Sequence, residues 1–369
     1  MFLKMKQFEN HESYYSIITG SGRYVPERVV KNEQFLENEF YDASGEKIKK
    51  AGADIIEKFK QITEISERRY IDDRYVTSDI GFFAARDAIQ SSGVDPEQLD
   101  FIIVAHNFGD VKKDNIKSDI VPSLAARIKF MLGIQNPFTV AYDLIFGCPG
   151  WLQAVIHANY FIKSGSAKKI LVIGAEALSR VSDPHDLDSM LYSDGAGAVI
   201  LEAVKSPVPV GIIAHLTRSD TIQHASLLRM ERSYNPEFPG NEIFLKMNGR
   251  KLYEYALNTV PQLVKDCIDM AGIPITEVHK IFMHQANAKM NDAILTRLFK
   301  LYEIEDIPAN IMPMTISKLG NNSVATIPIL FDMMTKGDFD SNPLSLGDHC
   351  VFASVGAGMN VNAMVYRTP

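Results

Sequence analysis

Hydrophobic positions between residues 79 and 201 alternate between two periods. Apolar side chains three and four apart predict helices over 79–92 and 121–132, each closed by a glycine, Gly93 and Gly133. Unbroken apolar runs predict buried strands at Phe101-Ile102-Ile103-Val104-Ala105, Ile170-Leu171-Val172-Ile173-Gly174 and Gly197-Ala198-Val199-Ile200-Leu201. Helix and strand taken in turn mark an α/β architecture. Upstream, residues 14–30 predict a first strand and turn. The charged segment 31–75 is helical in flavour and closes at 63–69 as a solvated helix end.

One stretch combines both periods around a thiol. An apolar run ends in Gly147 and Cys148, after which Trp151, Leu152, Val155, Ile156, Tyr160 and Ile162 recur at helical spacing up to Gly165. The pattern predicts strand, tight turn and helix, with Pro149 at the first helical position and Lys163 in the last turn. A cysteine at a helix start feels the positive end of the peptide dipoles, which favours thiolate and makes Cys148 a candidate nucleophile. Most free cysteines are buried small hydrophobes, so partners elsewhere must decide.

The pattern restarts after Ser206-Pro207-Val208-Pro209-Val210, the best linker in the chain. At an offset of 179, residues 86–94 lie over 265–273 and Ile102-Ile103-Val104 over Ile281-Phe282-Met283; at 173, Gly147-Cys148 lies over Gly320-Asn321. Two similar α/β halves are expected, 1–206 carrying the cysteine and 207–369 carrying His284 and Asn321. Strand ends and helix starts are where such folds place chemistry. Each later motif is weak alone. His284 in Met283-His284-Gln285-Ala286-Asn287 suits a hydrogen-bonded structural role as well as a site, and Gly320-Asn321-Asn322-Ser323 suits a helix cap. Gly356-Ala357-Gly358 suits either tight packing or a backbone N–H held open to an oxyanion.

Composition narrows the function. The 369 residues are 46% hydrophobic and 22% charged, as in an ordinary globular protein. A net charge of −7 without a long basic run argues against nucleic acid. No stretch of about 18 apolar residues exists and residues 1–10 hold no signal-peptide core, so no membrane association and a cytoplasmic location are expected. Three scattered cysteines, Cys148, Cys267 and Cys350, do not make a disulfide framework or a cysteine-type zinc site.

Taken in order, the Cys148 turn, His284-Gln285-Ala286-Asn287, Gly320-Asn321-Asn322-Ser323 and the terminal glycine turn resemble the β-ketoacyl-[acyl-carrier-protein] synthase III family, condensing enzymes of the thiolase superfamily. Further matches are Gly22-Arg23-Tyr24-Val25-Pro26-Glu27, Pro122-Ser123 with Met131-Leu132-Gly133, residues 164–179, Asp183-Pro184-His185-Asp186, residues 193–198 and residues 247–256, so that nearly the whole chain is covered. The resemblance implies a five-layered α/β/α/β/α thiolase fold with two pseudo-repeated halves, a homodimer, and no metal or organic cofactor. It implies Cys148 as the acyl-carrying nucleophile, His284 and Asn321 as donors to an enolate, and the backbone N–H groups of Cys148 and Ala357 as oxyanion partners. The family has glycine where Ala357 stands, which leaves the backbone angles there open.

Departures bear on substrate. The Trp and Arg that hold the adenine of CoA in acetyl-CoA-using members fall on Lys58 and Ile62, and a second CoA-contacting Arg falls on Leu187. Arg250 is retained, and Asn287 closes the histidine motif. Loss of the ring and guanidinium groups implies a donor on an acyl-carrier protein, or CoA held differently. A Phe that gates chain length from the partner subunit is replaced by Val121, and Phe146 and Trp151 flank Cys148, so the acyl pocket is expected to be reshaped for a longer or branched chain. Alternatives are a ketosynthase/cyclase of the dialkylresorcinol type and a catalytically silent partner subunit. A degradative thiolase is disfavoured because Ser354 stands where a second cysteine would be needed. A nucleotide-binding dehydrogenase is disfavoured because Asp194-Gly195-Ala196-Gly197-Ala198 lacks the third glycine.

Overall fold

The computed structural model describes residues 13–339 and 343–369. The reading of residues 1–10 lies outside them. Two sheets carry the fold. In the first, β1 (Ser13–Tyr24), β9 (Asp194–Ser206), β8 (Lys169–Ala177), β4 (Phe101–Ala105) and β7 (Val140–Leu144) lie side by side in that order. In the second the order is β10 (Gly211–Ser219), β15 (Asn360–Arg367), β14 (His349–Gly356) and β13 (Val278–Met283). The orders match in direction as well as position: β4 runs parallel to β8 as β13 does to β14, and the first two pairs in each order are antiparallel. β9 closes at Ser206 and β10 opens at Gly211, so the Pro-rich segment joins one sheet to the other.

Helices complete five layers. α2 (Thr77–Ser92) and α3 (Leu124–Met131) cover the outer face of the first sheet, with Ile80, Ala84, Ala88 and Ile128 packed on Ile102, Val104, Leu171 and Ile173. α4 (Gly150–Lys163) and α9 (Thr326–Thr335) lie between the sheets, where Val155, Leu330 and Phe331 meet Val172 from one and Phe282 and Phe352 from the other. α6 (Gly249–Ala271) and α7 (Ala288–Lys300) cover the second sheet through Val260, Val264, Ile294 and Leu298. Layers two and four are therefore sandwiched, which is why their strands read as unbroken apolar runs. Cys267 on α6 and Cys350 on β14 are buried in this packing.

Smaller elements complete the chain: α1 (Gly52–Thr63), the two-stranded sheets of β2 (Arg28–Lys31) with β3 (Glu67–Tyr70), β5 (Asp110–Lys112) with β6 (Asn115–Asp119), and β11 (Leu228–Arg232) with β12 (Ile243–Met247), and the single turns α5 (Thr221–His224) and α8 (Ile316–Leu319). The predicted solvated helix end at 63–69 is instead the end of α1 followed by β3, and Arg68 is fully buried. Its guanidinium donates to Asn32 Oδ1 at 2.6 Å and Val30 O at 3.2 Å and lies over the Phe35 ring, which compensates the buried charge. No helix among the described residues is long and apolar enough to cross a membrane.

Candidate active site

The turn between β7 and α4 fixes Cys148. Gly147 has φ +68°, a left-handed conformation, and a Cβ there would lie 2.6 Å from the Ala357 nitrogen. A Cβ on Gly356 would lie 2.5 Å from the Cys148 nitrogen. Side chains on either glycine would therefore force the two turns apart, so Gly147 and Gly356 let the backbones of Cys148 and Ala357 meet. Positive φ falls on Gly358 and Met359, not on Ala357, so an alanine fits there without strain. The helix begins at Gly150 with Pro149 as its N-cap, one residue later than the spacing predicts.

Burial reverses the expected state of the thiol. It pushes the Cys148 thiol up to about 11, with the carboxylate of Glu176 acting in the same direction and the Ser323 hydroxyl against. A two-unit rise corresponds to roughly 3 kcal/mol, whereas a helix terminus contributes about 0.3–1 kcal/mol at an exposed site. Desolvation wins, and the resting residue is a thiol.

Cys148 lines a cavity of about 360 Å³ with Asn107, Asn321, Ser323, Phe146 and the Ala357-Gly358 turn. Asn321 arrives from the second half on the turn after α8, where Gly320 has φ +59° and the Asn321 N–H donates to Leu191 O at 2.9 Å. The Ser323 N–H donates to Asn321 Oδ1 at 2.8 Å. That bond consumes the oxygen and leaves the amide NH₂ as the group facing the cavity. His284 follows β13 and is held at both backbone ends: its N–H donates to Ala353 O at 2.9 Å, and Asn291 Nδ2 donates to its carbonyl at 3.0 Å. The ring is 4% exposed, lies against the Ser323 backbone, and is pushed down to about 4 by burial. It is neutral across the physiological range.

The hairpin β11–β12 roofs the cavity. Alternate residues Leu245 and Met247 face it, while Lys246 between them is fully buried on the other side. Its ammonium bridges Asp183 at 2.5 Å and Asp186 at 3.0 Å and lies 3.4 Å from the Tyr234 ring centre. The Asp183-Pro184-His185-Asp186 segment thus clamps the roof to the first half.

Met247 also lines a second, larger cavity of about 720 Å³, mostly apolar. Lys58, Ile62, Leu187, Arg250 and Asn287 all border it, so the positions singled out for CoA contact converge on one space. Arg250 is 90% exposed and pairs with Glu254 at 3.1 Å, while Asn287 caps α7 by accepting from the Met290 N–H at 3.1 Å. One expected pocket residue lies elsewhere. Trp151 is 1% exposed, because the first turn of α4 points its ring between the sheets against Phe352, and it does not border the cysteine cavity. Val121, expected to gate the pocket of a partner subunit, is 82% exposed and does not border the cavity of its own chain. Missed from the sequence were Asn107, Ser323 and Glu176. The one signal for Glu176 was a lone acid inside an otherwise apolar strand, Ala175-Glu176-Ala177.

Comparison with known proteins agrees over most of the chain. Residues 142–220 match the family model for 3-oxoacyl-[acyl-carrier-protein] synthase III, and residues 268–368 match its C-terminal counterpart. The β-ketoacyl-[acyl-carrier-protein] synthase III of Erythrobacter litoralis is 30% identical over 358 residues, 95% of this chain and 98% of that protein. The crystal structure of the Aquifex aeolicus 3-oxoacyl-[acyl-carrier-protein] synthase III superposes with a TM-score of 0.77 at 28% identity, covering 95% of this chain and 99% of that one. The priming β-ketosynthase of the R1128 polyketide pathway shares the fold, with a TM-score of 0.79 at 24% identity and 97% of each chain covered.

Proposed function

We propose, for a chain that belongs to the 3-oxoacyl-[acyl-carrier-protein] synthase III family and is a condensing acyltransferase of the thiolase fold, how its residues divide the reaction and what carries its donor. Cys148 attacks an acyl thioester and holds the acyl group. The N–H groups of Cys148 and Ala357 receive the tetrahedral oxyanion. An extender thioester then occupies the cavity, and the His284 ring and Asn321 amide donate to its carbonyl as carbon dioxide leaves and an enolate forms. The enolate carbon attacks the acyl carbonyl and Cys148 is released. The observation that carries this reading is the Ser323 N–H bond to Asn321 Oδ1, which turns a neutral donor toward the thiol's cavity.

The donor is assigned to a carrier protein. The wall of the larger cavity offers Ile62 and Leu187 in place of guanidinium groups, and Lys58 in place of a ring. That wall suits a pantetheine arm, and the Trp and two Arg that the resemblance implies for an adenine and its 3′-phosphate are absent from it. A homodimer and a cytosolic setting belong to the same proposal; the exposed apolar side chains of Ile145, at the cavity, and Val121, outside it, support the first.

Intact-protein mass spectrometry after incubation with acyl-CoA and acyl-carrier-protein thioesters tests the proposal, with peptide mapping and Cys148→Ala as control. A Cys148 adduct formed faster from the carrier-bound donor is the expected result. Tight acetyl-CoA binding that depends on the 3′-phosphate would overturn the carrier assignment.

A further inference from the structure

A thiol held near 11 needs a proton acceptor, and the thiol's surroundings contain one that the roles above leave unused. Glu176 sits on β8 beneath Cys148 with no exposed surface. It has no salt-bridge partner among the described residues; its oxygens accept from Asn107 Nδ2 at 2.6 Å, from the Asn107 N–H at 3.4 Å and from Ser323 Oγ at 3.4 Å. Ser323 Oγ in turn lies 3.7 Å from Cys148 Sγ and 3.3 Å from Asn107 Nδ2. Ser323 is held at φ +51°, an uncommon conformation for a residue with a side chain, and such strain concentrates at functional positions.

The donors and acceptors of this cluster close without remainder in two states. With thiol and carboxylate, the Asn107 amide spends one hydrogen on Glu176 and one on Ser323. The Ser323 hydroxyl donates to Glu176 and accepts from Cys148 S–H. With thiolate and carboxylic acid, the same hydroxyl turns to donate to sulfur and accepts from Glu176. We propose that Glu176 is a positioning residue that takes the Cys148 proton through the Ser323 hydroxyl, arming the thiol for acyl transfer. The inference rests on the condensing-enzyme reading and adds the step that reading lacks.

The step balances. As the Sγ–carbonyl carbon bond forms, the S–H proton moves to Ser323 Oγ and the Ser323 proton moves to Glu176. When the donor's own carbon–sulfur bond breaks, the departing pantetheine thiolate takes a proton and Glu176 returns to carboxylate. The other titratable groups facing the cluster do not compete. His106 accepts the Gly109 N–H at Nδ1 and donates from Nε2 to Asp143 at 3.0 Å, so its proton is committed away from Glu176. Burial pushes Tyr192 well above its ordinary range. Burial pushes Glu176 up to about 7 and His284 down to about 4, which makes the carboxylate the better acceptor by about a thousandfold.

The test is the pH profile of Cys148 acylation in single turnover, read by mass, for the full-length protein and for Glu176→Gln and Ser323→Ala. Wild-type acylation is expected to rise to about pH 7 and level off. Either variant is expected to fall about a hundredfold at pH 7 and to climb tenfold per pH unit without a plateau. Alkylation by iodoacetamide, which needs only thiolate, is expected to be at least as fast in Glu176→Gln, because a repelling carboxylate is gone. Wild-type acylation with an unchanged profile in both variants overturns the relay alone, as does an equal slowing of acylation and alkylation. Failure of every donor to acylate the wild type overturns the condensing-enzyme reading and the relay with it.

Discussion

In the first half of the molecule Glu176 is buried beside the cysteine; in the second, His284 is buried beside the Asn321–Ser323 turn. Burial favours the neutral form of each and moves the two in opposite directions, the acid up to about 7 and the imidazole down to about 4. The same physical cause therefore produces opposite tools. The first half gains a proton acceptor poised near neutrality beside a thiol that must lose its proton. The second gains a ring that stays uncharged beside Asn321 and offers an N–H to developing negative charge. A scaffold repeated almost strand for strand has been fitted for acyl transfer on one side and enolate stabilisation on the other.

The largest break comes from Cys148→Ala. Acylation and condensation should both fall about a thousandfold or more, because the nucleophile and the covalent intermediate are lost together. Steady-state product formation and intact mass check this. His284→Ala should separate the halves: condensation is expected to drop about a hundredfold, with acylation of Cys148 within a few-fold of wild type, measured by single-turnover mass spectrometry.

Stability against pH sharpens the comparison further. For His284, the unfolded chain binds more protons than the folded one between about 4 and 6.5, so its contribution makes stability rise with pH through that window. For Glu176 the folded state holds the extra proton between 4.5 and about 7, so its contribution makes stability fall as pH rises. Each is of the order of 3 kcal/mol, and the two oppose each other in the wild type. Urea unfolding at pH 5 and pH 7 should show His284→Gln losing stability toward neutrality relative to wild type, and Glu176→Gln gaining it. The smallest effect expected is at the shared cavity, where Lys58→Trp with Ile62→Arg should tighten CoA binding about tenfold by calorimetry, by adding a stacking ring and a guanidinium.

Much of this was legible in the chain. Buried strands such as β4 and β13 announced themselves as apolar runs because both their faces are covered, and Gly93 marked a helix end through its left-handed cap. An offset of 179 superposed those strands, and a second one of 173 paired Cys148 with Asn321. What was hidden depended on contacts far apart in sequence. Arg68 reads as surface until Asn32, Val30 and Phe35 surround its charge, and Trp151 reads as a pocket wall until α4 is seen between two sheets. The dipole argument for a thiolate considered the helix alone; the sheet and the Glu176 carboxylate that raise the thiol come from elsewhere in the chain. Ser323 appeared within a motif, but nothing local tied it to Asn107 and Glu176, more than a hundred residues away.

The division of labour between the halves is tested most directly by Asn321→Ala in a two-step experiment: load Cys148 with an acyl thioester, remove excess donor, then add a malonyl-carrier-protein extender and follow the intact mass. The account predicts that the adduct forms at close to the wild-type rate and then persists, discharging about a hundredfold more slowly. An adduct discharged as fast as in wild type, or one that never forms while wild type is acylated, would contradict it.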